Sequence, residues 1–154
     1  MRRELIVLQD TREQHPWELP VRTLRRALKF GDYTARGLER ILSIERKSAQ
    51  DLVSSLSTGF DRFCRELAGA REVDVQVLLV AECSWRDAEI ALRQYLPSMS
   101  LARRVTRLAI LTGSTPLFMG DRETAAKFAV AALGTALEAT AKLGNSLPVK
   151  RLDS

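Results

Sequence analysis

The chain has 154 residues, which is enough for one domain with a hydrophobic core and too few for two comfortable domains. Its 45% hydrophobic and 28% charged residues are typical of a soluble globular protein, and its net charge of +5 favours an acidic partner such as nucleic acid without requiring one. Two cysteines without a CxxC spacing and a single histidine argue against a disulfide framework or a zinc cluster. Charged residues interrupt the longest apolar region, residues 125–141, and this interruption excludes a membrane span there.

The N-terminal third is predicted to contain strands and one loop. Residues 4–10 form an apolar run that ends in a polar cluster, which indicates a buried first strand. This run is too short for a signal peptide, so we expect a cytoplasmic protein, nucleoid-associated if it is bacterial. Residues 12–21, with two prolines, predict a loop, and the basic residues 21–30 favour a strand over a short helix. Residues 33–47 predict a hairpin around Gly37.

A helix is predicted to begin directly after this hairpin. Ser48 is a candidate helix N-cap, and its spacing from Asp51 is that of a capping-box variant. Apolar residues then recur at helical spacing, with Gly59 dividing the region into two helical pieces. The remaining predicted elements are, in chain order, a strand at 73–82, helices at 84–96 and 100–112, a strand at 115–121 and a helix from Asp121 to Gly144. We therefore expect one α/β domain over residues 1–144 and a C-terminal tail at 145–154.

One predicted strand, residues 40–47, ends on charged side chains. Strand side chains alternate, so Glu45 and Lys47 share one face and Arg46 lies on the other. Asp32 follows a glycine turn just before the hairpin, and the hairpin would bring it close to Glu45. Carboxylates placed in this way can hold Mg²⁺, and a neighbouring lysine can position water or balance charge in phosphodiester cleavage. The same pattern also fits a solvated strand whose Glu and Lys form only an ion pair.

Three motifs, taken together and in order, resemble one known family. They are DTREQHPW at 10–17, GDYTARG at 31–37 and SIERKSAQDLVSSLSTGFDRFCREL at 43–67. Their order matches the GD…ERKxxxD signature in the nuclease domain of the XPF/Mus family of structure-specific endonucleases, and the resemblance covers about residues 5–70. It implies an α/β, restriction-endonuclease-like fold, in which a mixed β-sheet is flanked by α-helices. It also implies a DNA endonuclease that depends on Mg²⁺ or Mn²⁺ and cuts fork, flap or junction DNA in repair or recombination.

The resemblance also implies roles for individual residues. The implied catalytic residues are Asp32, Glu45, Lys47, Asp10 and Glu13. Asp32 and Glu45 would be the main metal ligands, and Lys47 would act as a base-like or charge-stabilising group. Asp10 and Glu13 would line the same site and act through metal-bound water.

DNA contacts are expected from basic residues near this site. Arg12 would orient the carboxylates or touch phosphate, and Arg62 and Arg65 lie three apart on a predicted helix, although a solvated face is the alternative for each arginine. Larger members of the family carry helix-hairpin-helix repeats, and we expect a chain without them to be a small stand-alone nuclease or to borrow DNA binding from a partner protein. The family tends to dimerise through the region of the helices at 101–112 and 122–143, which implies a homodimer.

Two positions of the motif, and the function itself, keep an alternative interpretation. Asp51 can be catalytic, or it can serve only in the helix cap with Ser48. Arg46 faces the other side of its strand, which favours a structural role. The alternative function is a non-catalytic DNA-binding or scaffold module with a nuclease-like fold, although the complete set of acidic and basic site residues argues against it.

Overall fold

A computed structural model describes residues 4–143, and this part of the chain contains a six-stranded sheet and five helices. The strands are β1 (Val7–Gln9), β2 (Thr23–Arg25), β3 (Tyr33–Ala35), β4 (Leu42–Lys47), β5 (Gln76–Ala81) and β6 (Pro116–Phe118). The helices are α1 (Ala49–Leu56), α2 (Phe60–Glu72), α3 (Trp85–Tyr95), α4 (Leu101–Thr112) and α5 (Arg122–Leu143). The predicted order of elements is confirmed. The predicted helix end at Gly144 and the tail at 145–154 lie outside the described residues.

The sheet is mixed, and its strand order is β2-β1-β3-β4-β5-β6. β1 pairs parallel with β2 and antiparallel with β3, and β3 pairs antiparallel with β4, which confirms the predicted hairpin. β4, β5 and β6 run parallel to one another, so the helix pairs α1–α2 and α3–α4 form the connections between them. The carboxyl ends of β4 and β5 therefore lie side by side at one edge of the sheet.

A hydrophobic core lies on each side of the sheet. Helices α1 to α4 pack over one face, where Leu79 of β5 is fully buried among their apolar side chains. Helix α5 packs over the other face, where Val80 of β5 contacts its alanine and leucine residues. Consecutive residues of a central strand thus enter different cores, as strand alternation requires. The predicted α/β architecture with helices flanking a mixed sheet is confirmed.

None of the helices within residues 4–143 is both long and apolar enough to cross a membrane.

Gly31 permits a close approach between two parts of the sheet. Its backbone is left-handed (φ +68°), and a Cβ added there would lie 2.2 Å from Ser43 Oγ and 2.8 Å from the Ile44 carbonyl oxygen. Gly31→Ala is therefore expected to lower the free energy of unfolding by about 2–4 kcal/mol, because left-handed strain adds to overpacking. Urea denaturation measures this loss.

Gly120→Ala is the matched control for this substitution. Gly120 is also left-handed (φ +84°), but beyond Gly120 and its two chain neighbours no heavy atom of residues 4–143 lies within 4 Å of the position that a Cβ would take. We expect Gly120→Ala to lower the free energy of unfolding only by the cost of the left-handed backbone, about 1–2 kcal/mol. Equal losses at the two glycines would contradict the steric explanation for Gly31.

Candidate active site

Asp32 is fixed by hydrogen bonds to two neighbouring strands. Its N–H donates to the Ile44 carbonyl (2.7 Å), and its own carbonyl accepts from the Asp10 N–H (2.7 Å). Its carboxylate Oδ2 accepts a hydrogen bond from the Arg46 N–H at 2.8 Å. The backbone of β4 therefore holds the Asp32 side chain beside the end of that strand, as the predicted hairpin requires.

Glu45 and Lys47 project from β4 toward helix α2. Lys47 Nζ lies 3.2 Å from Glu45 Oε1, and both side chains are largely buried. The same ammonium lies 4.6 Å from the centre of the Phe63 ring on α2. Arg46 points to the opposite side of the strand, where its guanidinium meets other carboxylates. The predicted alternation along β4 is confirmed.

A cleft of about 430 Å³ opens in front of Asp32 and Glu45. Its walls come from the β1 end, the turn before β3, β4 and helix α2. Its polar lining includes the side chains of Asp10, Arg12, Lys29, Asp32, Glu45 and Glu66. The structure thus brings the two predicted metal ligands to one water-accessible cavity, together with Asp10 and Arg12.

Burial and like charge act together on the two central carboxylates. Burial, aided by the negative charge of Glu45, raises the pKa of Asp32 from 3.8 to about 7. Burial also raises the pKa of Glu45, although the neighbouring Lys47 ammonium opposes that shift. Ionising both carboxylates together is therefore unfavourable unless a cation enters the cleft. Paired carboxylates with raised pKa values are a common feature of catalytic and metal-binding sites.

The donor set fits a magnesium-like cation. Asp32 Oδ2 is occupied by a backbone donor, whereas Oδ1 has no hydrogen-bond donor within residues 4–143. No group of three or more His, Cys, Asp or Glu side chains forms a metal cage within the described chain. Mg²⁺ does not need such a cage, since it is usually held by one or two carboxylates together with waters and substrate phosphate.

Asp10 lines the cleft, but its carboxylate is already occupied. It is fully buried and accepts four hydrogen bonds, three from the backbone and guanidinium of Arg12 and one from the Leu28 N–H. Burial alone would raise the pKa of Asp10, but these donors outweigh it and hold the pKa below its usual value. The contacts suit a residue that holds Arg12 and the loop at Leu28 in place. A catalytic role for Asp10 stays a prediction.

Glu13 lies on the opposite side of β4 from Glu45. Its two carboxylate oxygens accept from Arg46 Nε (3.1 Å) and Nη2 (3.2 Å), and Arg46 Nη1 donates to Glu82 at 3.0 Å. Arg46 is thus clamped between two nearly buried carboxylates. The predicted structural position of Arg46 is confirmed, whereas a catalytic role for Glu13 stays a prediction.

Sequence reasoning missed the partners that complete this buried cluster. Glu82 also accepts hydrogen bonds from Trp17 Nε1 (2.6 Å) and from Arg122 Nη1 (3.0 Å). One signal was present, because Glu82 directly follows β5, and the carboxyl end of β5 lies beside that of β4. Trp17 and Arg122 are far from Glu82 in the sequence and carried no local signal. The cluster ties the loop after β1 and the start of α5 to the end of β4.

The start of helix α1 explains the last residue of the motif. Ser48 Oγ accepts from the Asp51 N–H (3.1 Å) and donates to Asp51 Oδ2 (2.8 Å), so both side chains form the predicted helix cap. Asp51 is exposed and does not line the cleft. Asp51→Ala is expected to leave the cleavage rate unchanged and to lower the free energy of unfolding by about 0.5–1 kcal/mol.

Ser48→Ala is the companion variant for Asp51→Ala. It should lower the free energy of unfolding by about 1 kcal/mol and also leave the cleavage rate unchanged. Thermal denaturation and a cleavage assay measure the two effects separately. A hundredfold loss of cleavage in Asp51→Ala alone would support the catalytic interpretation of this residue instead.

Of the three predicted DNA-contacting arginines, Arg12 lines the cleft and the other two do not. Arg12 is exposed and bonded to Asp10, and Arg62 and Arg65 are exposed on α2, the helix that forms one wall. Arg62 also lies 3.7 Å from Glu66, an exposed pair of little energetic weight. Phosphate contacts by the three arginines stay predictions.

Comparison with known proteins gives a likeness in structure alone. No protein-family model matches the chain, and no curated protein matches its sequence. Among solved structures, XPF from Aeropyrum pernix matches with 21% identity and a TM-score of 0.60, over 91% of this chain and 67% of that one. XPF from Aeropyrum pernix in complex with DNA matches with 20% identity and a TM-score of 0.53, over 96% and 68%. The chain therefore has an XPF-like fold, which confirms the fold that the family resemblance implied.

Proposed function

We propose that this protein is a metal-dependent DNA endonuclease that hydrolyses phosphodiester bonds. The observation that carries the proposal is the cleft lined by Asp32 and Glu45 at the end of β4, with the Lys47 ammonium 3.2 Å from Glu45 Oε1. The XPF-like fold supports it, as does the capture of one such structure, from Aeropyrum pernix, in complex with DNA. A non-catalytic scaffold would have no need for two carboxylates that line one cleft and whose pKa values are both raised by burial.

Each site residue has a proposed role in cleavage. Asp32 and Glu45 would hold Mg²⁺ or Mn²⁺, which when bound activates water and neutralises charge on the phosphate oxygens. Lys47 places an ammonium beside Glu45, where it can orient the attacking water or stabilise the negative charge of the transition state. Arg12, at the rim, would contact phosphate, as would Arg62 and Arg65, without reading sequence.

The finer features of the proposal rest on the family resemblance. They are a preference for fork, flap or junction DNA, a role in DNA repair or recombination, and a homodimer. The exposed apolar residues Ile110 and Leu111 on α4 are compatible with an assembly surface in the predicted region. The net charge of +5 suits a nucleic-acid partner.

Cleavage of labelled DNA tests the proposal. Single-stranded, duplex, forked and flapped substrates are incubated with Mg²⁺, with Mn²⁺ or with EDTA. We expect cutting with either metal, none with EDTA, and faster cutting of the branched substrates. Binding to these DNAs without cutting under any of the metal conditions would favour the scaffold interpretation.

A further inference from the structure

We propose that Phe63 is the positioning residue of Lys47, with its aromatic ring holding the lysine ammonium in place for phosphodiester cleavage. This inference rests on the proposed function and deepens it, because it assigns a role to a residue of α2 to which the family resemblance gave none. The role is carried by geometry: Phe63 lines the cleft, and the Lys47 ammonium lies over its ring.

The ammonium of Lys47 is held between a carboxylate and an aromatic ring. Nζ lies 3.2 Å from Glu45 Oε1 and 4.6 Å from the centre of the Phe63 ring, well within the range of a cation–π interaction. Phe63 is only 3% exposed and packs in the core beneath α2, so the ring itself is firmly placed. A buried ring of this kind is a fixed surface for an otherwise flexible side chain.

Lys47 needs the Phe63 ring because its other partner, Glu45, is also a proposed metal ligand. A lysine side chain has a flexible stem of four carbons, and it loses rotamer entropy when it is held in one position. Within residues 4–143, Glu45 and Phe63 are the two side chains that hold the ammonium. A cation bound in the cleft would draw on the Glu45 carboxylate, which would leave the ring as the contact that keeps Lys47 near the phosphate.

The ring also holds the ammonium without occupying its hydrogen-bond donors. A lysine ammonium has three N–H donors, and a cation–π contact acts through the charge and does not require an acceptor atom. With one donor facing Glu45, the others stay available for a phosphate oxygen or a water. Phe63 therefore fixes the position of the Lys47 ammonium and leaves its remaining N–H donors available for hydrogen bonds.

The same helix supplies a matched control in Phe60. Phe60 is 4% exposed on α2, and the Arg104 guanidinium lies 4.5 Å from the centre of its ring. It thus has similar burial and the same kind of contact as Phe63, but it does not line the cleft. A change at Phe60 therefore reproduces the packing loss of a change at Phe63 without touching Lys47.

The test compares kinetic constants for changes at the two rings. We expect Phe63→Leu to lower kcat about tenfold with the KM for DNA unchanged, and Phe60→Leu to leave both constants unchanged while lowering the melting temperature by a similar amount. Replacement of Phe63 by a trifluorinated phenylalanine, which keeps the shape of the ring and weakens its negative face, should lower kcat in the same direction. The same replacement at Phe60 should not. Equal kcat in the Phe63 and Phe60 variants would overturn the proposal.

A second measurement does not depend on cleavage. The ring current of Phe63 is expected to shift the ε-methylene proton resonances of Lys47 upfield, and Phe63→Leu should remove the shift while Phe60→Leu keeps it. Absence of the shift in the wild-type protein would overturn the assignment of Phe63. Absence of cleavage by the wild type on every DNA would instead overturn the proposed function, since the resonance would still report whether the ring holds Lys47.

Discussion

Asp32→Asn is expected to lower the cleavage rate at least a hundredfold and, at the same time, to make the metal-free protein more stable at pH 8. Activity falls because the amide is a poor ligand for a hard cation. The fold persists because an amide oxygen can still accept the Arg46 N–H that Asp32 Oδ2 accepts in the wild type. Opposite effects on activity and stability are the mark of a site kept for function.

The gain in stability follows from the raised pKa of Asp32, from 3.8 to about 7. Between these two pH values the folded protein binds more protons than the unfolded chain, so the stability of the wild type falls as the pH rises through this window. Above pH 7 the Asp32 carboxylate is charged, and the full free-energy cost of burying that charge then lowers the stability of the folded protein. Asparagine does not ionise, so we expect the variant to exceed the wild type by on the order of 2–4 kcal/mol at pH 8 and by little below pH 4.

Urea denaturation in EDTA at several pH values measures this difference. Asp61→Asn serves as the control, because Asp61 is an exposed carboxylate on α2 and its loss should not stabilise the protein. Glu45→Gln and Lys47→Ala should also abolish cleavage without unfolding the protein. If Glu45→Gln cuts at the wild-type rate, the pair of Glu45 and Lys47 is only an ion pair, and the site assignment is wrong.

The parts of this site that the sequence predicted correctly are those fixed by local geometry. Alternation along a strand placed Glu45 and Lys47 on one face and Arg46 on the other, since successive strand residues must point in opposite directions. The cap at Ser48 could be predicted because a helix start satisfies its free N–H groups with residues only a few positions away. The strand order could not be read in this way, because it depends on pairings between strands that are distant in the sequence, and the family resemblance implied only a mixed sheet flanked by helices.

The parts that escaped prediction depend on contacts between distant positions. Glu13 follows the first strand in the sequence, as Asp10 does, and both were expected at the cleft. The structure turns Glu13 to the other side of β4, because Arg46 is buried there and needs a carboxylate partner. No local pattern announces a pairing across 33 positions, or that of Trp17 with Glu82 across 65. Buried polar clusters are therefore the least predictable part of this fold.

Removal of the Arg46 guanidinium is expected to produce the largest loss of stability. Arg46→Met keeps much of the side-chain volume but leaves the buried carboxylate of Glu13 without a cation, and it leaves Glu82 with Arg122 as its one remaining cation partner within residues 4–143. Removing one member of a buried ion cluster typically costs about 3–5 kcal/mol, most of it from the uncompensated charge that remains. Arg46→Lys should recover only part of this loss, because one ammonium cannot replace three N–H groups aimed at two carboxylates.

The surface offers a control for Arg46→Met in Arg93→Met. Arg93 lies 3.7 Å from Glu89 one turn away on α3 and is largely exposed, so its loss should change the free energy of unfolding by less than about 0.5 kcal/mol. Neutralising both partners of Arg46, as Glu13→Gln with Glu82→Gln, should restore a large part of the stability lost in Arg46→Met, because no buried charge is then left unpaired. If the triple variant is no more stable than Arg46→Met, the loss comes from packing, and the role of Arg46 as the cation that joins the loop after β1 to the end of β5 is refuted.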